Sequence, residues 1–332
     1  MTAAVSLFSV VFELAATRLV ERFRPAALMI TALVVEGIAM VGLAEVRSLP
    51  GMLALGAMMG AGFGTVATVT ATLIGALAPA GRRGEAIGYF GLAASFPSVV
   101  APSAALILLN AFGLRAVFFC GAVTCTLAIA ASARLWTHAR ARSGSARDGQ
   151  PGSLRNRRLI MIWASLLCVA ITYGGVISFT PFVLPASGAG SAPLFLFLFG
   201  LCRSAARAGS GRIMDRVGDR RLVVPSLAVG VVGLVLLATN GATAVTIAAA
   251  VLYGTAFGIS QTGCFVGMLR ATQGSRPNVV SGFWNVAMDA GVGSGALVLA
   301  PIGAAVGFAR MLWLLPGLLV LSIAIRLAEL RA

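Results

Sequence analysis

Long apolar runs separated by short polar connections set the pattern of this chain. Eleven such runs are predicted to be spans, over residues 5–19, 26–44, 51–77, 86–109, 116–135, 159–185, 192–208, 222–238, 242–268, 279–305 and 311–325. Crossing a hydrocarbon core as a helix takes roughly 18 apolar residues, whereas a barrel strand needs only about 9–11. In lipid, moreover, every backbone polar group must be bonded within the protein, which admits helices or closed barrels alone. The runs are too long for barrel strands, so the predicted class is an all-α polytopic membrane protein.

Composition agrees with that reading. The 332 residues are 59% hydrophobic and 11% charged, with a mean hydropathy of +0.97. That is far more apolar than a soluble domain. The net charge of +15 would suggest nucleic acid in a soluble protein, so its placement matters more than its sign. Every Lys/Arg position holds Arg. Most of these arginines, among them Arg18, Arg22, Arg24, Arg82, Arg83, Arg158, Arg207, Arg270 and Arg326, fall in or beside alternate connections, while the others receive only Arg47, Arg115 and Arg310. This asymmetry is the positive-inside pattern. It puts the connections after the first, third, fifth, seventh and ninth spans in the cytoplasm of an inner-membrane protein, together with the C-terminus. It also replaces nucleic acid with membrane lipid as the expected partner of the charge.

An internal repeat sits within the pattern. At an offset of 194 positions, Glu21-Arg22 falls on Asp215-Arg216, Gly60 with Phe63-Gly64 on Gly254 with Phe257-Gly258, and Arg82 with Gly88-Tyr89 on Arg276 with Gly282-Phe283. Apolar glycine-rich helices match one another easily, but charged loop residues and aromatics should not align at one shift. Two bundles are predicted, 1–136 and 159–332, joined by a polar Arg-rich linker over 137–158. The offset sends 159–185 to positions before Met1, so the first repeat is expected to lack its first helix.

The stretch Gly211-Arg212-Ile213-Met214-Asp215-Arg216-Val217-Gly218-Asp219-Arg220-Arg221 resembles the G-x-x-x-D-R-x-G-R-R loop motif of the major facilitator superfamily. Only Asp219 departs, where that family usually carries Arg or Lys. Tyr173-Gly174-Gly175, Phe179-Thr180-Pro181 and Arg207 look like the seventh and eighth helices of its bacterial drug or sugar efflux branch. The resemblance implies two pseudo-symmetric bundles and transport by alternating access. It also implies that Asp215 meets a helix N-terminus, where free N–H groups favour an anion by about 0.3–1 kcal/mol, and so biases one face shut. Arg216, Arg220 and Arg221 would hold the loop, or anchor it to lipid phosphates. Gly211 and Gly218 suit a tight connection, since glycine permits close helix approach and positive φ. In the first half Glu21 and Arg22 keep the acid and the base, but Thr17 and Arg24 stand where glycines belong, so a weaker gate is expected there. Ala101-Pro102-Ser103-Ala104-Ala105 departs from the Gly-Pro-x-x-Gly-Gly of antiporter fifth helices.

Ionisable groups inside spans are costly and mark candidate coupling or solute-binding positions. Arg203 and Asp289 lie at similar depth, about 13–15 Å from the inner ends of their helices at about 1.5 Å per residue. They could pair, contact solute, or be satisfied separately by hydroxyl and backbone groups. Glu13, and Glu36 in a helix read as peripheral, are further candidates. Thr172, Tyr173 and Ser178, with Tyr253, Ser260 and Gln261, could line a solute path or serve only as packing contacts.

Enzyme readings find little support. The only histidine, His138, falls in the linker, and Cys120, Cys125, Cys168, Cys202 and Cys264 show no C-x-x-C spacing, so buried free thiols are expected and neither a metal nor another cofactor is. The expected function is secondary transport of a small solute, with efflux first. Proton-coupled import or a non-transporting membrane scaffold is the alternative. A monomer is expected.

Overall fold

The computed structural model describes residues 2–77, 83–135, 156–272 and 277–330; the side chains of 83–96 and of several residues near other helix ends fall outside that description. The predicted linker therefore lies almost entirely outside the described residues. Among the described residues the helices follow in the order α1 (Thr2–Arg22), α2 (Pro25–Glu45), α3 (Leu49–Leu77), α4 (Arg83–Leu135), α5 (Arg157–Phe179), α6 (Ala192–Val217), α7 (Asp219–Ala238), α8 (Thr243–Ala271), α9 (Pro277–Val306), α10 (Phe308–Met311) and α11 (Leu314–Leu330). A single 3-10 turn, Thr180–Phe182, extends α5.

The helices begin and end where local chemistry dictates. Pro25 opens α2 at its first position, where its missing N–H costs nothing. Asn156 caps α5 by accepting from the Arg158 N–H, 3.0 Å away. Its side-chain nitrogen donates to the Ala271 carbonyl at the end of α8, 2.9 Å away, tying two helix ends together. Helix α2 shows why lipid is the solvent. It buries Ala32, Leu33, Ala39 and Leu43, yet Val34, Ile38 and Val41 on the opposite face are 41–56% exposed. A helix apolar on both faces needs an apolar surrounding, and its 21 residues rise about 31 Å, the thickness of a hydrocarbon core.

Among the described residues, eight helices are long and apolar enough to span, so the predicted count of eleven is not reached by that measure. Helix α6 carries Arg203, Arg207 and Arg212 within its length, and the apolar stretch of α1 is short, covering Ala4–Ala16. The predicted spans 86–109 and 116–135 both fall within α4, which is two helices meeting at a kink at Gly113, where φ is +80°.

The chain forms two compact units. The first is Met1–Ser95 with Leu108–Asp148; the second is Phe96–Ile107 with Gly149–Ala332. Part of α4 thus belongs to the second unit, where Ser103 donates to the Pro193 carbonyl, 2.8 Å away.

The 194-residue offset reappears in the helix bounds. Shifted by 194, α3 becomes 243–271, the bounds of α8. Likewise α2 becomes 219–239, against Asp219–Ala238 for α7, and the part of α4 before Gly113 becomes 277–306, the bounds of α9. The break repeats as well, since Gly113 falls on Gly307 and both have positive φ, +80° and +92°. Contacts follow the same rule. A Cβ on Gly60 or Gly64 would strike the carbonyls of Val5 and Ser9, and one on Gly254 or Gly258 those of Phe199 and Arg203. Val5 plus 194 is Phe199, and Ser9 plus 194 is Arg203. Close helix approach at small residues is therefore built identically into both units. Helix α5 has no counterpart among the described residues of the first unit.

Candidate functional site

The second unit concentrates the polar chemistry. On α6, Phe195, Phe199 and Arg203 recur every fourth residue and are buried, because positions four apart share a helix face. That face packs on α8, where Gly258 lets the backbones close in at Arg203. Arg203 is 8% exposed. Its guanidinium lies 5.2 Å from the ring centre of Tyr173 and 5.5 Å from that of Phe257. Its Nη1 donates to the Tyr173 hydroxyl, 3.0 Å away, and its buried Nε has no partner. The rings brace one another, with Tyr173 4.8 Å from Phe257 and 5.6 Å from Phe199.

These contacts offset part of the cost of the charge. Cation–π attraction supplies about 0.5–2 kcal/mol per ring and a hydrogen bond to a charged group about 1.5–3 kcal/mol. Burying an unpaired ion costs several kcal/mol even after relaxation. Among the described residues no ion pair reaches Arg203, and none joins it to Asp289, which is half-buried on α9.

Other predicted polar positions tie helices together. Thr172 donates to the Val169 carbonyl, 2.7 Å away, so the Tyr253 hydroxyl, 2.9 Å from it, must donate to Thr172. Ser226 uses its hydrogen on the Val223 carbonyl and accepts from Ser260 at 3.1 Å. Gln261, 2% exposed, points its amide nitrogen toward the Met288 sulfur at 3.6 Å and leaves Oε1 buried without a partner. Ser178 is half-buried in α5, and Glu13 is buried in α1. The cysteines are free, but Cys120 is exposed, against the expectation of burial; it sits on α4, whose Val99–Ala133 stretch is apolar enough to face lipid.

Part of the loop motif lies among the described side chains. Gly218 ends α6 and precedes α7 with φ +87°, the backbone state that favours glycine. Gly211 lies inside α6 rather than in the connection, and a Cβ there meets nothing within 4 Å among the described residues. Asp215 and Arg216 lie in the last turn of α6 and Arg220 in the first turn of α7, but their side chains, like that of Glu21, fall outside the described residues. Arg22 and Arg221 are exposed.

Asp219, the residue that departs from the motif, is the surprise. It is 2% exposed and anchors a chain of alternating charges. Arg270 Nη1 donates to its Oδ1 at 2.9 Å and Arg326 Nη2 to its Oδ2 at 3.2 Å. Arg326 also pairs with Glu329, 2.9 Å away, and Arg158 Nε donates to Glu329 at 2.8 Å. Four helices, α5, α7, α8 and α11, are thereby tied at one end of the unit. Removing one partner of such a buried set costs about 3–5 kcal/mol, because the remaining charge stays uncompensated. Sequence reading placed these arginines only as generic inner-face charge. The available signal was an acid at a position where the resembled motif is basic.

Membrane-spanning helices in two units with a matching repeat, carrying ionisable side chains inside the spans, define a polytopic membrane protein of the kind transporters use. The family model of the Major Facilitator Superfamily matches residues 1–296, and the chain belongs to that superfamily, whose members move small solutes, often with protons. No curated protein sequence matches the chain. Among solved structures, it is similar to the partially occluded inward-open conformation of the xylose transporter XylE from E. coli, with a TM-score of 0.74 and 16% identity over 97% of this chain and 84% of that one. At that identity the likeness is one of fold.

Proposed function

We propose that this transporter carries a small drug-like or sugar-like solute out of the cytoplasm by alternating access, as a monomer in the inner membrane with a cytoplasmic C-terminus. The observation that carries solute handling is the buried Arg203, without an ion-pair partner among the described residues and with its aromatic surround, about 17 Å along α6 from Ala192 at about 1.5 Å per residue. Ionisable groups at such depth serve solute or ion pathways as a rule. The direction rests on the efflux-type residues Tyr173-Gly174-Gly175, Phe179-Thr180-Pro181 and Arg207. In this reading residues 1–136 and 159–332 are the two moving bundles and 137–158 their linker. Asp215, with Glu21 as its weaker counterpart, gates the inner face, Arg216, Arg220, Arg221 and Arg22 hold the gate, and Asp289 carries the coupling proton.

Counterflow in vesicles of defined orientation tests the proposal. A panel of labelled sugars and amphiphilic drugs should include solutes that accumulate in inside-out vesicles on acidification of the lumen. Asp289→Asn should abolish the dependence on the proton gradient; unchanged coupling in that variant would remove Asp289 from the mechanism. Accumulation only in right-side-out vesicles would reverse the direction.

A further inference from the structure

We infer that the solute of this transporter is an organic anion, its carboxylate, phosphate or sulfonate held by Arg203 and its body laid against the rings of Tyr173 and Phe257. The inference rests on the transporter reading above and adds the charge class of the solute.

Three observations meet at Arg203. First, Arg203 is 8% exposed, and its buried Nε lacks a partner, so a fixed donor waits for an acceptor the described residues do not supply. A guanidinium presents its N–H groups as a planar fork that matches the two oxygens of an oxyanion. Second, the Tyr173 hydroxyl accepts from Nη1, so its own hydrogen remains to donate. An anion beside Arg203 would therefore receive donors from α5 and α6 together. Third, α6 carries Arg207 one turn further on, and no described acid pairs with either arginine. Two cations one turn apart on one helix repel each other, and a bound anion relieves both.

The aromatic residues decide the rest of the ligand. Tyr173 and Phe257 stand at 4.8 Å centroid separation and both lie beneath the guanidinium. They suit a planar or sugar-like body attached to the anionic group better than a bare inorganic ion. Lipid headgroups are excluded by depth, since Arg203 is about 17 Å from one end of α6 and about 21 Å from the other at about 1.5 Å per residue. The matched position in the first unit is Ser9, so the cation at this position belongs to the second unit alone.

The test uses the purified full chain in nanodiscs and matched probe sets of equal shape: benzoate, benzamide and benzylamine, and gluconate beside glucose. Binding is read by thermal shift and by titration. At least one anion is expected to bind ten-fold or more tightly than its neutral partner. Arg203→Gln should erase that preference, Arg203→Lys should keep part of it, and Tyr173→Phe should weaken anion binding several-fold. Equal binding of anion and neutral probe, binding of no anion, or a preference that survives in Arg203→Gln would overturn the inference. Neutral solutes that bind and show counterflow without charge preference would leave the transporter reading standing while this one falls. Loss of all flux with anion binding intact would do the reverse.

Discussion

The two units share a scaffold and differ in chemistry. Helices α1, α2 and α3 pair with α6, α7 and α8 at one offset, and Gly60 and Gly64 meet α1 just as Gly254 and Gly258 meet α6. Yet Ser9 stands where the second unit has Arg203, Pro25 where it has Asp219, and Ser132 where it has Arg326. Phe63 is 50% exposed while its counterpart Phe257 is 1% exposed, because Tyr173 of α5 and Phe199 of α6 cover the latter. Duplication preserved the positions where backbones touch, which tolerate no side chain. Positions that only present a side chain were free to diverge, and the second unit used them for charge.

Ion pairs draw the contrast most sharply. The described pair of the first unit, Arg115 with Glu45 at 2.7 Å, has side chains 63% and 54% exposed, whereas Arg326 and Glu329 are 1% exposed. Arg326→Leu should therefore lower stability by about 3–5 kcal/mol, read as the loss of unfolding midpoint in denaturant or heat in a mild detergent. Next come the shared contacts. Gly64→Val and Gly258→Val should each cost about 1–3 kcal/mol or more, because the struck atoms are backbone carbonyls that cannot swing aside. Similar losses at both sites would sharpen the claim of a common scaffold, and a neutral result at either one would break it. Arg203→Gln should reduce solute flux about ten-fold, equivalent to about 1.4 kcal/mol, while Ser9→Ala leaves flux unchanged. Smallest of all, Arg115→Ala should shift stability by less than about 1 kcal/mol, an effect that fades as salt is raised.

Much of the scaffold was legible in the sequence because it rests on local pattern. Apolar run lengths place the helices, and the recurrence of Gly60-Phe63-Gly64 as Gly254-Phe257-Gly258 discloses the repeat. Gly218 was legible as a tight connection because only the backbone decides it. Gly211 is less legible, because its place in the motif says nothing of its neighbours; it lies inside α6, and a Cβ there meets nothing within 4 Å among the described residues. The Asp219 network escaped notice because its partners come from four helices, with Arg326 lying 107 positions away. Arg203 could be recognised as a charge within a span, but not its rings, since Phe257 comes from another helix. Charge in a membrane is easy to find in a sequence, whereas what neutralises it depends on packing.

Solute flux is the most direct test of the central claim, that this chain is a transporter whose working chemistry lies at Arg203. The full chain reconstituted into vesicles, with neutral and anionic solutes screened by counterflow, should show flux well above protein-free vesicles that Arg203→Gln reduces about ten-fold. Flux at the protein-free level for every solute, or full flux in Arg203→Gln, would contradict it.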